Sequence, residues 1–489
     1  MNVREASLLM GAVVKDVDAE LFDKQIVDFS IDSRSVKEGE VFFALSQKDY
    51  ARAGFNGVFA DGHQYIAGAL SKGALAAVAR ADHVAADQEL QSLKDRLLVV
   101  EDAIAALQTL AHRVYDQWGK RVVGITGSAG KTTAKELTAH VLSANGRRVL
   151  KSERNYNNGL GLPLSVLRMV SEGRSPEQFD VAVLEMGMSS PTHEIQRLTR
   201  ITPPDIGVEL MIAPVHLEYL GSIENIAAAK AELIEGLKPD GVAVLNADDE
   251  WVIKMRDKHH GRIVTFGIDR PADVSASEID AGQLGRIKFR LRTPLGESPA
   301  TLRMSGRHNL MNALAAAAVA TCFEIQPAEI AAAFNTAKPP RMRGEVLDFA
   351  GGFTVVDDSY NSNPRSLINM VRTITEQGVR AARRMVIAGE MLELGPDEET
   401  LHRDAGREIG RAGVDVVWGV RGLARELVAG AKESGVSETR FFETSDEAAR
   451  ALMAEVREGD LVLVKGSRGV ATDRIVSAMR EGFPLAMSE

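Results

Sequence analysis

The chain of 489 residues contains a single cysteine, Cys322. One thiol cannot form an intrachain disulfide, which excludes a disulfide-stapled secreted domain and favours a reducing compartment, the cytoplasm. Long apolar runs are also missing, because the most apolar stretch, residues 311–323, is shorter than the roughly 20 residues that span a bilayer. The first eleven residues lack an apolar core, so we expect no signal peptide and no membrane insertion.

Positive charge is in deficit as well. The 58 lysines and arginines face 68 aspartates and glutamates, which gives a formal net charge of −10. This balance argues against a general nucleic-acid or anionic-membrane binder. Aromatic residues make up only 5% of the chain, but 45% of it is hydrophobic, enough for globular cores. At roughly 150 residues per domain, the length predicts about three domains.

Short apolar runs alternate with helical patterns along most of the chain, which is typical of α/β domains with largely parallel sheets. We predict domains at 1–101, 102–338 and 339–489, with the second boundary at the helix-breaking K-P-P of residues 338–340. The predicted strands are 40–45, 75–79, 97–100, 122–126, 181–185, 206–211, 242–246, 263–267, 353–357, 384–388, 414–420, 439–443 and 461–465, with an irregular antiparallel edge at 287–302. The predicted helices include 102–118, 223–237, 309–323, 328–335, 366–377 and 446–456.

A strand–loop–helix pattern, V-V-G-I-T-G-S-A-G-K-T-T, occupies residues 122–133. Its small loop residues, which let backbone N–H groups close around phosphate oxygens, are Gly127, Ser128, Ala129 and Gly130. Lys131 can then reach terminal phosphates, and the Thr132 hydroxyl can hold Mg²⁺. The spacing is shorter than the common one, which has glycine where this chain has Ile125. A flexible glycine turn before a helix is the alternative.

Polar residues follow several predicted strands, at the edge where ligands collect in such sheets. Glu185 ends the apolar run V-A-V-L-E, where a carboxylate suits Mg²⁺ and a surface glutamate is the alternative. His216 follows the next strand, with a structural histidine as the alternative. Lys230 lies on a predicted helix, where a solvated lysine is the default. The asparagines of N-Y-N-N-G-L-G-L-P indicate a turn, or else a contact with a substrate or a phosphate.

Two later clusters complete the candidates. S-G-R-H-N-L-M-N, residues 305–312, places three polar side chains at the start of an apolar helix, more than capping requires. D-D-S-Y-N-S-N-P, residues 357–364, follows a strand and suits a ribose or a ligand amine, unless it is only an Asx-rich turn. Arg341 and Arg343 at the linker can meet a phosphate when domains close, and K-G-S-R-G ends another strand.

Taken together, the motifs of this chain resemble those of the Mur ligases, the ATP-dependent amide-forming enzymes of bacterial peptidoglycan synthesis. The motifs that carry the resemblance are T-G-S-A-G-K-T-T, N-Y-N-N-G-L-G-L-P, L-E-M-G, H-L-E, A-K-A-E, H-N-L-M-N-A-L-A-A and D-D-S-Y-N-S-N-P. The resemblance runs from about residue 32 to about residue 475. D-D-S-Y-N-S-N-P, E-M-L-E-L-G-P with L-H-R, and V-K-G-S-R-G are similar to the branch that joins D-alanyl-D-alanine to a UDP-N-acetylmuramoyl tripeptide. The phosphate loop is less specific, because folylpolyglutamate synthases share it in similar form.

This resemblance implies a cytoplasmic, monomeric enzyme that uses ATP and Mg²⁺ and passes through an acyl phosphate. It implies a small α/β N-terminal domain, a central P-loop domain with a mostly parallel sheet, and a Rossmann-like doubly wound C-terminal domain. Another Mur-type or folylpolyglutamate synthase-like ligase, or a regulatory P-loop NTPase, remains the alternative. The third residue of the peptide, diaminopimelate or lysine, stays open.

The resemblance also implies residue roles. ATP would contact Gly127, Ser128, Ala129, Gly130, Lys131, Thr132, Thr133, Asn309, Asn312, Arg343 and Asp358. Mg²⁺ would lie at Thr132, Glu185, His216 and Lys230, the last as a carbamate in several relatives, and the catalytic set would be Lys131, Glu185, His216 and Lys230. Substrates would contact Ser33, Arg34, Asn158, Tyr360, Asn361 and Asn363. Two departures are a longer loop at 46–60, beside the implied UDP pocket, and Glu390 in place of the usual Asp.

Overall fold

Three β-sheets follow one another along the chain in this computed structural model, which describes residues 1–55, 57–153, 155–188, 193–214, 220–376 and 379–486. Each sheet is flanked by helices, so the predicted three-domain α/β architecture is confirmed. The domain boundaries at 101/102 and 338/339 stay predictions. Among the described residues, none of the helices has both the length and the apolar character needed to cross a membrane.

The first sheet has four parallel strands in the order β1-β2-β3-β4. The strands are β1 (Phe29–Ser30), β2 (Val41–Phe43), β3 (Ala76–Arg80) and β4 (Leu97–Val100). The helices are α1 (Val3–Met10), α2 (Gln47–Arg52), α3 (Ile66–Ser71), α4 (Ala81–Ala86) and α5 (Gln88–Ser92). Because β2 and β3 are buried on both faces, they appear in the sequence as continuous apolar runs.

The second sheet has nine strands in the order β13-β12-β11-β10-β9-β8-β5-β7-β6, parallel except for the antiparallel ladders β11–β12 and β12–β13. Its strands are β5 (Arg121–Thr126), β6 (Val149–Lys151), β7 (Val181–Glu185), β8 (Ile206–Glu209), β9 (Val242–Asn246), β10 (Arg262–Gly267), β11 (Val274–Gln283), β12 (Arg286–Thr293) and β13 (Gly296–Leu302). Its helices are α6 (Ala103–Trp118), α7 (Lys131–Ala144), α8 (Gly161–Leu167), α9 (Glu194–Ile201), α10 (Ile223–Glu235), α11 (Glu250–Lys254), α12 (Arg307–Thr321) and α13 (Pro327–Phe334).

Three features of this sheet need correction. Strand β6 was not predicted, and it is only three residues long. The antiparallel edge at 287–302 is confirmed, but β11 was missed because most of its outer half is solvent-exposed and lacks an apolar pattern. The strand predicted at 206–211 ends at Glu209. The next two residues still form backbone hydrogen bonds, Leu210 with Thr126 at the end of β5 and Met211 with Ser128 in the loop after it.

The third sheet has six strands in the order β14-β15-β19-β16-β17-β18, with only β14 antiparallel to its neighbour. Its strands are β14 (Glu345–Asp348), β15 (Thr354–Asp358), β16 (Arg383–Gly389), β17 (Val416–Val420), β18 (Glu438–Phe442) and β19 (Asp460–Lys465). Its helices are α14 (Pro364–Thr375), α15 (Glu398–Arg411), α16 (Ala424–Glu433), α17 (Ser445–Glu455) and α18 (Asp473–Gly482). Apart from its antiparallel edge, this is the predicted doubly wound sheet.

A buried ion pair fixes the 46–60 segment on the first domain. Arg80, at the end of β3, pairs with Asp49 of α2, and both side chains are almost fully buried. The other Asp49 oxygen accepts a 3.0 Å hydrogen bond from the Ala103 backbone N–H at the start of α6. The pair therefore ties the longer loop to the first sheet and to the helix that leads into the second domain.

We expect Asp49→Ala to lower the free energy of unfolding by about 3 kcal/mol, because it leaves a buried guanidinium and a helix N–H without this partner. Denaturant unfolding measures the change. Asp23→Ala is the matched control, since it removes a mostly exposed ion pair with Arg4 and should change stability by less than about 1 kcal/mol. Equal effects of the two substitutions would contradict this account.

Candidate active site

The loop between β5 and α7 is shaped by two glycines with positive φ. Gly127 has φ 151° and Gly130 has φ 85°. A Cβ on Gly130 would lie 2.4 Å from Oδ1 of Asn312, and one on Gly127 would lie 2.9 Å from Cβ of Leu210. The loop backbone is thus pressed between α12 and the residues after β8, and its conformation leads directly into the N-terminus of α7, which favours anions.

Ser128 anchors this loop. Its hydroxyl donates to the carbonyl of Ala213 at 3.1 Å and accepts from the Ala213 backbone N–H at 2.9 Å. Its own backbone N–H donates to the carbonyl of Met211 at 2.8 Å. These bonds hold the loop in place from one side.

Glu185 lies at the centre of a hydrogen-bonded group at the end of β7. The Thr132 hydroxyl donates to its Oε2 at 2.8 Å, and Nδ2 of Asn157 donates to its Oε1 at 2.9 Å. The glutamate is almost fully buried, so a solvent-exposed glutamate, the alternative reading, is wrong. Beside it, Nζ of Lys131 donates to the Gly127 carbonyl at 2.9 Å, and burial lowers the pKa of Lys131. A carboxylate and a hydroxyl form the hard oxygen set that Mg²⁺ prefers.

Lys230 is buried on the inner face of α10, with 2% of its surface exposed, so the solvated default is wrong. Burial and the charge of Lys131 lower the pKa of Lys230 to about 7. Glu209, the last residue of β8, is fully buried, and burial raises its pKa to about 8 against the influence of Lys230. Glu209 was not predicted as a site residue although, like Glu185, it ends an apolar strand, because that strand was predicted to continue to residue 211.

The loop between β5 and α7 is approached from its other side by two groups of residues. These are side-chain amides of α12 and residues at the start of the third domain. Asn312 touches Gly130, and one turn earlier Nδ2 of Asn309 donates to the Ser305 carbonyl at 2.8 Å. The Arg343 guanidinium lies over the Tyr360 ring at 4.1 Å, and its charge contributes to the lowered pKa of Lys131. Residues of two domains therefore meet at one loop.

The D-D-S-Y-N-S-N-P segment combines an ion pair with local turns. Asp358 accepts a 2.6 Å bond from Nζ of Lys465, which also donates to the Asn361 carbonyl at 2.9 Å. Asn363 caps α14, and Oδ1 of Asn361 accepts from the Ser362 N–H. An Asx-rich turn, the alternative, thus explains the amide contacts of both asparagines. It does not explain the ion pair between Asp358 and Lys465.

Other predicted residues lie elsewhere. Ser33 and Arg34 follow β1 in the first domain, where the exposed Arg34 side chain pairs with Asp32. Oδ1 of Asn158 accepts the N–H groups of the two residues at the start of α8 and so forms a turn, while its neighbour Asn157 contacts Glu185. Thr133 is buried in the first turn of α7. His216 lies outside the described residues.

Comparison with known proteins decides the family. Residues 125–320 match the Mur ligase middle domain, and residues 342–468 match the Mur ligase, glutamate ligase domain. The UDP-N-acetylmuramoyl-tripeptide–D-alanyl-D-alanine ligase of Bacillus subtilis is 32% identical, with 92% of both chains covered. The chain belongs to the Mur ligase family.

Solved structures agree with this assignment. The MurF of Acinetobacter baumannii is 26% identical, with 98% of both chains covered and a TM-score of 0.84. The MurF ligase of Thermotoga maritima, solved in complex with ADP, is 27% identical with a TM-score of 0.77, and the match covers 94% of this chain and 98% of that one. The fold of this Mur ligase is therefore that of MurF structures over nearly its whole length.

We expect Gly130→Ala to weaken ADP binding at least about 10-fold, because the new methyl group would clash with Asn312 and push the loop off its anion-binding conformation. Titration calorimetry measures the affinity. Gly146→Ala is the matched control: this glycine also has a positive φ, of 80°, but a Cβ there meets nothing within 4 Å. It should lower stability by about 1–2 kcal/mol and leave ADP affinity unchanged. Comparable ADP losses in both variants would contradict the steric account.

Proposed function

We propose that this Mur ligase joins D-alanyl-D-alanine to a UDP-N-acetylmuramoyl tripeptide at the expense of ATP, acting as a monomer in the cytoplasm without nucleic-acid partners. The observation that carries the proposal is the glycine loop with Lys131, Thr132 and Glu185, in a chain similar over nearly its full length to ligases with that name. ADP in the related Thermotoga structure supports ATP as the nucleotide.

The residues present fit a nucleotide-bound Mg²⁺. The two glycines form a cradle that a Cβ would fill, and Thr132 with Glu185 supplies oxygen donors beside it. We assign the ion to Thr132, Glu185, His216 and a carbamylated Lys230. When bound, Mg²⁺ neutralises negative charge on the phosphates and on the transferring group.

The chain's own residues then orient the reaction. Lys131 holds the terminal phosphates while the peptide carboxylate attacks the γ-phosphorus of ATP, giving an acyl phosphate and ADP. The amine of D-alanyl-D-alanine attacks the acyl carbon through a tetrahedral intermediate and expels phosphate. We assign Asn309 and Asn312 to the adenosine moiety, and Arg343 and Asp358 to contacts with ATP from the third domain. Closure of the domains excludes water, which protects the acyl phosphate from hydrolysis.

The remaining roles concern the other substrates. We assign Ser33 and Arg34 to the UDP moiety, and Asn158, Tyr360, Asn361 and Asn363 to the peptide substrates. The exposed Arg34 presents a cation to solvent, and the Tyr360 ring lies against Arg343, close to the loop.

A phosphate-release assay tests the function directly. Release should require ATP, a UDP-muramoyl tripeptide and D-alanyl-D-alanine together, and the preferred tripeptide identifies diaminopimelate or lysine as the third residue. Release with a single amino acid in place of the dipeptide would indicate another Mur-type or folylpolyglutamate synthase-like ligase. Release without any amine acceptor would indicate a regulatory NTPase.

We expect Lys131→Ala to reduce ligation on the order of 10²–10³-fold with the fold intact, because a charge on the terminal phosphates is lost. Initial rates at saturating substrates measure this, and circular dichroism checks the fold. Lys151→Ala, which removes an exposed lysine of the same domain, should leave the rate unchanged. A folded Lys131→Ala enzyme with near wild-type turnover would refute the assignment of the loop to ATP.

Lys230 provides a separate prediction. Burial lowers its pKa to about 7, so a large fraction is the neutral amine that reacts with CO₂. We expect Lys230→Ala to be nearly inactive and partly rescued by acetate, which supplies the missing carboxylate oxygens. Lys131→Ala is the control that acetate should not rescue, since an anion cannot replace its cation. Equal acetate responses in both variants would contradict the carbamate.

A further inference from the structure

Glu209 is fully buried, and neither oxygen of its carboxyl group has a hydrogen-bond partner within the described ranges of the chain. In the described part of the site, it is the one ionisable side chain of this kind. It is also placed at the reacting edge of the sheet. In the parallel ladder it is opposite Thr126, the residue immediately before the glycine loop, whose hydroxyl also has no partner among the described residues. In its ionised form, a carboxylate buried at this position needs a cation or hydrogen-bond donors as partners.

The strand register gives the direction of its side chain. Glu185 is opposite Ile125 and Glu209 is opposite Thr126, so the two carboxylates belong to opposite faces of the sheet. On its other side Glu209 is opposite Leu245, which packs in the core that contains the apolar residues of α10. Glu209 therefore faces Lys230, while Glu185 faces Thr132 at the start of α7.

The surrounding charges do not satisfy Glu209. The ammonium groups of Lys131 and of the unmodified Lys230 lie close enough to favour the ionised form of Glu209, but neither donates a hydrogen bond to it, and Asp249 opposes its ionisation. Removing a carboxylate from water without partners costs several kcal/mol, so buried charges in proteins are paired or coordinate metals.

We propose that Glu209 is a further carboxylate of the cation site, holding the nucleotide-bound divalent ion, directly or through a water, from the α10 side of the sheet, opposite Glu185. This inference rests on the proposed function, because the nucleotide phosphates complete the site. Glu209 would add one carboxylate to the ligands assigned above and to the phosphate oxygens, and hard oxygen ligands of this kind are the ones that Mg²⁺ prefers. If the divalent ion binds Glu209, this explains why no described group of the protein donates a hydrogen bond to the Glu209 carboxyl group.

The experiment uses Mn²⁺ as the probe and the full-length chain with ADP. Free Mn²⁺ is counted by electron paramagnetic resonance during titration of wild type and Glu209→Gln, which keeps the shape of the side chain and removes its charge. We expect Glu209→Gln to weaken Mn²⁺ binding at least 10-fold, while ADP affinity measured without metal stays within twofold of wild type. Glu185→Gln should weaken Mn²⁺ binding as well.

The matched control is Glu40→Gln, which neutralises another buried glutamate, in the first domain, and should leave Mn²⁺ binding unchanged. Unchanged Mn²⁺ affinity in Glu209→Gln would overturn the inference and leave Glu209 as a charge partner of Lys230. Loss of the metal-free fold in that variant, seen by thermal unfolding, would overturn it too, because the carboxylate would then be structural. If wild type itself bound no Mn²⁺ with ADP, the proposed function would fail instead.

Discussion

The active site depends on two positions of its phosphate-loop backbone that have no side chain, because both are glycine. At Gly127 and Gly130 the loop backbone touches Leu210 and Asn312, so the loop is fixed between the segment after β8 and the start of α12. This close approach sets the position at which α7 begins. From that position the second residue of the helix, Thr132, donates a hydrogen bond to Glu185 at the end of β7.

The same packing buries charge. Lys131, Lys230, Glu185 and Glu209 come from four different elements and lie near one another at one edge of the sheet. Burial shifts the pKa of three of them toward the neutral form, which destabilises the ionised site in isolation. The polyphosphate of ATP would supply charge opposite to that of the two lysines, and the proposed metal ion would supply charge opposite to that of the two glutamates. We therefore expect substrate binding to offset the cost of burying these charges. Strongly perturbed groups gathered in one place are typical of active sites.

Much of this arrangement could be predicted from the sequence, because buried parallel strands are apolar runs and the phosphate loop is a local pattern. Helix α6 is an example: its predicted limits are confirmed, with Asp102 as the N-cap and Gly119, in the left-handed region, at the end. Glu185 was found because it ends such a run. Only the first three residues of strand β11 show buried alternation and most of its outer half is exposed, which is too short an apolar pattern to predict a strand.

Other contacts depend on tertiary packing. The choice between Asn157 and Asn158 is decided by which amide reaches the end of β7, and adjacent asparagines in one motif look alike in a sequence. Glu209 was missed through an error of two residues in the end of β8, because Leu210 and Met211 prolong the apolar run after the strand has stopped. The burial of Lys230 depends on which face of α10 meets the sheet. Periodicity alone left that lysine on the solvent side.

Isotope transfer tests the central claim, activation of a carboxylate by ATP at this loop, most directly. A UDP-muramoyl tripeptide labelled with oxygen-18 in its reacting carboxylate is incubated with the enzyme, ATP and D-alanyl-D-alanine, and the released phosphate is analysed by mass spectrometry. An acyl phosphate predicts phosphate that carries an oxygen-18 atom taken from the peptide, and an amide that keeps the other. Unlabelled phosphate accompanying the same amide product would contradict the account, since the carboxylate would then not have attacked ATP.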